Sequence, residues 1–175
     1  MKKIFLFLAV IIAITGCERN FEEINTNPND PTEVPATNVL LSSITSGLNR
    51  IHGASMSMTY AGLWVQHYAK IQYIDEDNYN YRADAMDAHW TGLYAGPLFD
   101  LQDIINRSTD ETPNMRAAAM VLKAYYMGVI ADCWGNVPFS EALLGNDELT
   151  PAYDDQSAIY AGIDAMLSEA SAAFD

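Results

Sequence analysis

The chain reads as an all-α protein with long irregular loops, and three observations say so. Apolar residues recur at three- and four-residue intervals in successive segments, the spacing of one helix face. Residues that start and stop helices bracket those segments. No run alternates apolar and polar positions as a half-buried strand would. Half of the 175 residues are hydrophobic and 18% are charged, a balance that suits a packed core and not a disordered chain.

The first segment is not part of the fold. Lys2 and Lys3 precede an apolar run, Ile4 to Ile14, which ends in Ile14-Thr15-Gly16-Cys17. A basic start, a short apolar stretch and a small-residue site define an export signal, and the run is too short for a permanent membrane helix. Its last four residues resemble the lipobox of bacterial lipoproteins. That resemblance implies removal of residues 1–16, diacylation of Cys17 on sulfur and further acylation on its amine with palmitate-type chains. Two or more chains anchor a protein stably, whereas one does so only marginally. Residues 17–36 are rich in Asn, Pro and acids and read as an extended tether. Residues 37–175 are then the helical domain.

Thr37 or Asn38 can cap a helix from Val39 to about Ile51, with Leu40, Leu41, Ile44 and Leu48 along its stripe. After Gly53, a second helix is expected from about Ser55 to Tyr73. Residues 74–83 carry no stripe and read as a polar loop. Asp84 is the expected N-cap of the next helix, with Asp87 completing a capping-box variant. That helix carries Trp90, Leu93, Tyr94, Leu98, Leu101, Ile104 and Ile105, and Gly96-Pro97 should bend or break it. Thr112-Pro113 starts another helix with proline at its first position, running to Cys133-Trp134-Gly135. Residues 135–153 form an irregular connection. The last helix is capped at Asp154 or Asp155 and buries Ile159, Ile163, Met166, Leu167 and Ala170. It is still periodic where the sequence stops, so the chain is expected to be the N-terminal piece of a longer protein.

The formal charge is −14; without Lys2 and Lys3 it is 7 basic against 23 acidic residues, or −16. Such a surface repels nucleic acid and anionic headgroups, and leaves neutral ligands or a basic partner. Cys17 and Cys133 are the only cysteines. With Cys17 acylated, Cys133 has no disulfide partner, and beside Trp134 it reads as a small buried hydrophobe. Asp75, Glu76 and Asp77 invite a calcium loop, but Asn80 and Met86 stand where such a loop needs Gly and Glu, so no metal is assigned. His52, His67 and His89 lack metal spacing. Hydrolase and phosphate-loop motifs are absent, and no catalytic residue or cofactor is assigned.

Aromatic side chains are the remaining chemistry. Trp64/Tyr68 and Trp90/Tyr94 stand four apart, as packed helix neighbours do, and are assigned to the core. Tyr79 and Tyr81 instead sit in the polar loop, interleaved with Asn78, Asn80 and Arg82. Exposed rings beside amides and a guanidinium fork suit a sugar or peptide, so residues 78–82 are the candidate ligand contacts.

Five blocks resemble the SusD/RagB family of nutrient-binding outer-membrane lipoproteins. They are the lipobox followed by Phe21-Glu22-Glu23-Ile24-Asn25-Thr26-Asn27-Pro28-Asn29, the segment Trp64-Val65-Gln66-His67-Tyr68, the helix from Trp90 through Asn106, Asp132-Cys133-Trp134-Gly135-Asn136-Val137-Pro138-Phe139-Ser140-Glu141-Ala142, and the stretch from Pro151 to Tyr160. The resemblance implies a body of tetratricopeptide-like helix pairs, with 113–133 and 155–174 as one pair. It implies a non-enzymatic, surface-exposed lipoprotein of the outer membrane, capturing oligosaccharide or peptide for a TonB-dependent, SusC-like transporter. The alternatives are a helical scaffold that binds other proteins and a glycan-cleaving enzyme. The glycine of the Trp134-Gly135 block is expected to lock a helix exit onto the body.

Overall fold

A computed structural model describes residues 34–80 and 82–174. The signal segment 1–16, Cys17, residues 18–33 of the tether, and Tyr81 lie outside them. Contacts divide the chain into Met1–Val34 and Pro35–Asp175, and everything below belongs to the second unit.

The first helix, α1 (Ala36–His52), starts earlier than Thr37 or Asn38 would allow as caps. Pro35 occupies the N-cap, and its carbonyl accepts the amides of Asn38 (2.9 Å) and Val39 (3.2 Å). Arg50 and His52 in its last turn suit the negative end of the helix dipole. After Gly53 the chain winds as a π-helix, Ala54–Ala61, into a single α-turn, α2 (Gly62–Trp64).

The expected helix to Tyr73 therefore ends nine residues early. The Gly62 carbonyl accepts the amides of both His67 (2.9 Å) and Tyr68 (3.3 Å), and Gln66 takes a left-handed φ of 58°. Residues 65–69 are all exposed. Most helical stability in proteins comes from packing an apolar face, and this stretch packs on no surface among the described residues.

A 3₁₀ turn, Ala83–Met86, leads into α3 (Asp87–Leu93). Arg82 rather than Asp84 holds the N-cap of that turn, and no side chain bonds the α3 start. The π-turn Tyr94–Leu98 follows, with Gly96 at φ −116°, ψ −108° and Pro97 buried beside it, so the expected break occurs. The chain resumes as α4 (Phe99–Arg107), then α5 (Pro113–Trp134) and α6 (Gln156–Ala173). Pro113 begins α5 as its position predicts. Thr112 is the N-cap residue, but its hydroxyl bonds Thr109 and not the helix. Among the described residues no strand forms; Val137 and Asp154 make one isolated bridge.

The core is fully buried at Leu93, Leu98, Leu101, Ile104, Tyr126, Met127, Ile130, Val137 and Ile159. Tyr126 reaches from α5 to α1, where its hydroxyl donates to the Ser43 carbonyl (3.0 Å). Helices α5 and α6 are antiparallel: Gln156 bonds Ala131, Ile163 faces Gly128, and Glu169 pairs with Arg116. They form the expected helix pair. No described helix is long and apolar enough to cross a membrane.

The buried-cysteine expectation fails, for Cys133 is exposed near the end of α5. Desolvation of its sulfur, with Asp132 beside it, still pushes the thiol above its usual pKa, so it stays protonated at neutral pH.

Candidate functional site

Residues 65–80 form a loop that is ordered by polar contacts and presents apolar rings. Lys70 is its clasp: its Nζ pairs with Glu76 (2.6 Å) and its amide donates to Asp77 (3.0 Å). Asn80 Nδ2 donates to Asp75 (3.1 Å), and the Tyr79 hydroxyl donates to the Trp64 carbonyl (2.8 Å). Glu76 is buried despite lying among acids. Its hydrogen bond from Lys70, helped by a backbone amide, holds its carboxyl below the ordinary 4.5.

Three tyrosines face solvent from this clasp. Tyr68 is 53% exposed, Tyr73 87% and Tyr79 58%. One side of the Tyr68 ring lies on Gly62, where an added Cβ would come within 2.7 Å of Cε2, so only glycine lets the ring fold back with its other face open. Tyr73 and Tyr79 both adopt left-handed φ of 54°. Bulky residues avoid that region, and such strain persists where the surroundings over-determine it, commonly at ligand sites. Of the sequence-predicted contacts, Asn78, Tyr79 and Asn80 are exposed on this loop, and Arg82 just after it. Tyr68 and Tyr73 are additions. Tyr68 was expected in the core as the helical partner of Trp64, but Trp64 packs on Tyr60 instead (5.7 Å).

That Trp64–Tyr60 contact begins a chain of rings leading inward. Tyr60 meets His89 edge-on (5.8 Å), and the next residue, Trp90, meets Tyr94 (4.9 Å), Trp134 (5.5 Å) and, face to face, Tyr153 (6.3 Å, 14°). Burial, reinforced by Arg50, lowers the His89 pKa and favours a neutral imidazole within the stack. Trp90 and Tyr94, expected as core, are half-buried. With Phe99, Leu149, Pro151 and Pro138 they line a groove of about 390 Å³. Tyr153 stands at Trp90 66% exposed. The Tyr94 hydroxyl donates to Pro138 (2.7 Å), and burial, then Tyr153 and Asp154, raise its pKa beyond any physiological titration.

The far wall of the groove is the 137–153 connection, and Asp154 holds it. Its carboxylate accepts the amides of Phe139 and Ser140 (both 2.9 Å) and the Ser140 hydroxyl (2.7 Å), which depresses its pKa, the Ser140 amide contributing most. Asp154 is thus a loop anchor, and of the two expected cap residues Asp155 takes the N-cap position of α6. Gly135 exits α5 at φ 76°, a conformation open to glycine. Asn136 then bonds both Asp155 (3.1 Å) and the Gln156 amide (3.0 Å), and Phe139 lies against Gly162. The Trp-Gly block does lock the helix exit onto α6.

The clasp gives a pH prediction. Glu76 is stabilised as the anion, so its contribution is complete above 4.5 and is lost as pH falls through its depressed folded value. Protection factors of the amides across residues 66–80, taken against the intrinsic exchange rate at each pH, should fall in that acidic window. Glu76→Gln should show the lowered factors already at pH 7. Equal protection in the variant at pH 7 would mean that the ion pair does not order the loop.

The structure is an all-α body carrying a loop that exposes rings and amides, with an exposed guanidinium just after it. Residues 28–175 match the SusD-like family described as "Starch-binding associating with outer membrane", and the chain belongs to the SusD/RagB family. It resembles the crystal structure of a SusD/RagB family protein from Bacteroides thetaiotaomicron at 27% identity and TM-score 0.66, covering 81% of this chain and 30% of that one. It resembles a chitin-binding protein at 27% identity and TM-score 0.68, covering 81% and 32%. The chain thus spans about a third of the length of these structures. No curated protein matches it. Proteins of this family are binding proteins rather than enzymes.

Proposed function

We propose that the chain is part of a cell-surface lipoprotein, anchored through Cys17, that captures oligosaccharide at the outer membrane and passes it to a SusC-like, TonB-dependent transporter. The observation that carries the reading is the clasped loop. Its tyrosines are open to solvent, Tyr73 and Tyr79 in strained backbone, an arrangement that offers flat apolar faces to the C–H side of sugar rings. Asn78, Asn80 and Arg82 supply hydroxyl partners around them. The family description and the chitin-binding neighbour support a neutral glycan, and the net charge of −14 is compatible with one.

The test is calorimetric titration of the purified protein with malto-, chito- and peptide oligomers. Tyr73→Ala/Tyr79→Phe should cost about 1 kcal/mol of stability for the lost bond to Trp64 and otherwise leave it little changed, both rings being exposed; Tyr73→Ala/Tyr79→Ala tests the rings themselves. The double alanine variant should weaken binding of the responsive glycan about tenfold or more, at roughly 1 kcal/mol per stacked ring. Undiminished binding in that variant, with loss in Tyr153→Ala, would move the site to the Trp90 groove. A protein that binds no glycan or peptide but retains a membrane partner would instead be a scaffold.

A further inference from the structure

A second groove, of about 350 Å³, lies between α4, α5 and α6. Helix α5 presents two cations to it, Arg116 and Lys123, seven residues apart and so on one face. Arg116 is engaged, its Nη1 donating to Glu169 (2.8 Å) and to the Met120 sulfur (2.9 Å). Lys123 differs. Its ammonium donates to Gln102 Oε1, a neutral acceptor, and Gln102 is itself oriented by its bond to Asn106 (2.7 Å). Lys70, Arg107 and Arg116 each pair with a carboxylate, but Lys123 has none among the described residues. An ammonium has three donors, so two remain without a protein acceptor. The side chain is half-buried, and desolvation lowers its pKa.

We propose that this groove binds a monocarboxylate, with Lys123 as its anchor. A half-buried cation with no counter-ion among the described residues is costly, and an incoming anion removes that cost. Ile105, Met120, Phe139 and Met166 make apolar walls for the body of the ligand. The Glu169 carboxylate at the same groove opposes a dianion, so a single negative charge fits better than a phosphate or sulfate ester. The sugar body of the ligand rests on the glycan reading above, here extended from a neutral glycan to one carrying a single carboxylate, a uronic acid; the carboxylate site itself does not rest on that reading.

The protein labelled with ¹³Cε-lysine would be titrated with glucuronate, acetate and glucose, following the Lys123 signal by NMR. Glucuronate should shift it and raise its titration midpoint, while glucose should leave it unmoved. Lys123→Met, which keeps the apolar stem, should weaken glucuronate binding at least tenfold, and Lys123→Arg should restore part of it. A Lys123 signal unmoved by both carboxylates would overturn the site. A response to acetate but not to glucuronate would overturn the sugar assignment alone. Loss of neutral-glycan binding at the tyrosine loop would leave this result standing, which separates the two readings.

Discussion

Gly47→Ala lowers the stability of the fold by about 2–4 kcal/mol, the range for forcing a methyl into a close-packed core and disturbing a buried hydrogen bond. The reason is Tyr126. Its ring is fully buried and lies where a Cβ on Gly47 would stand, with Cε2 at 2.6 Å. The ring cannot retreat, because Leu98, Leu101 and Ile130 fill the same core, and its hydroxyl is fixed to the Ser43 carbonyl. For a chain of this size the loss corresponds to a fall in Tm of about 10 °C. Tyr126→Phe removes only the hydroxyl and should cost about 1 kcal/mol. Combined with Tyr126→Leu, Gly47→Ala should cost much less than it does alone, since the two sites share one space. A single variant within 0.5 kcal/mol of the parent in urea titration would show that the α1–α5 contact is looser than described.

Asp154→Ala should cost about 2–3 kcal/mol, because one carboxylate is the acceptor for three donors on the connection it holds. The effect should be local. Amides of Phe139 and Ser140 should lose protection first, and emission from Trp90 and Trp134 should shift to the red as the wall beside them opens. Asp154→Asn keeps one acceptor oxygen and should fall between. The parent should show the same opening below pH 3.8, since the anion is the stabilised form and its contribution disappears as pH falls through the depressed folded value. Unchanged exchange at Phe139 and Ser140 in the alanine variant would mean that another contact holds the connection.

The elements legible in the sequence are those whose cause is local. Pro113 starts α5 because its ring presets the helical φ; Gly96-Pro97 breaks the next-door helix because proline cannot donate and glycine can leave helical space. The stripe of Ile159, Ile163 and Met166 places α6. The stretch after Trp64 was illegible for a physical reason. Val65, Tyr68, Ile71 and Tyr73 have the composition of a buried helix, but among the described residues they meet no packing surface and stand exposed in a loop. The same gap hid Tyr68 and Tyr73 as candidate contacts, whereas Tyr79 was visible through its Asn and Arg neighbours. Asp154 and Asp155 are chemically identical in sequence, and the fold alone decides which anchors the loop and which caps α6. Cys133 sits among apolar neighbours in sequence, but its position on α5 turns it outward.

The α5–α6 pairing also bears on how the chain folds. Its contacts join residues 25 to 53 positions apart, whereas the Tyr126–Ser43 bond spans 83. Closing the longer loop costs more chain entropy, so the helix pair is the cheaper structure to assemble early, and α1 docks onto it late. The destabilisation by Gly47→Ala should accordingly appear as faster unfolding with refolding nearly unchanged.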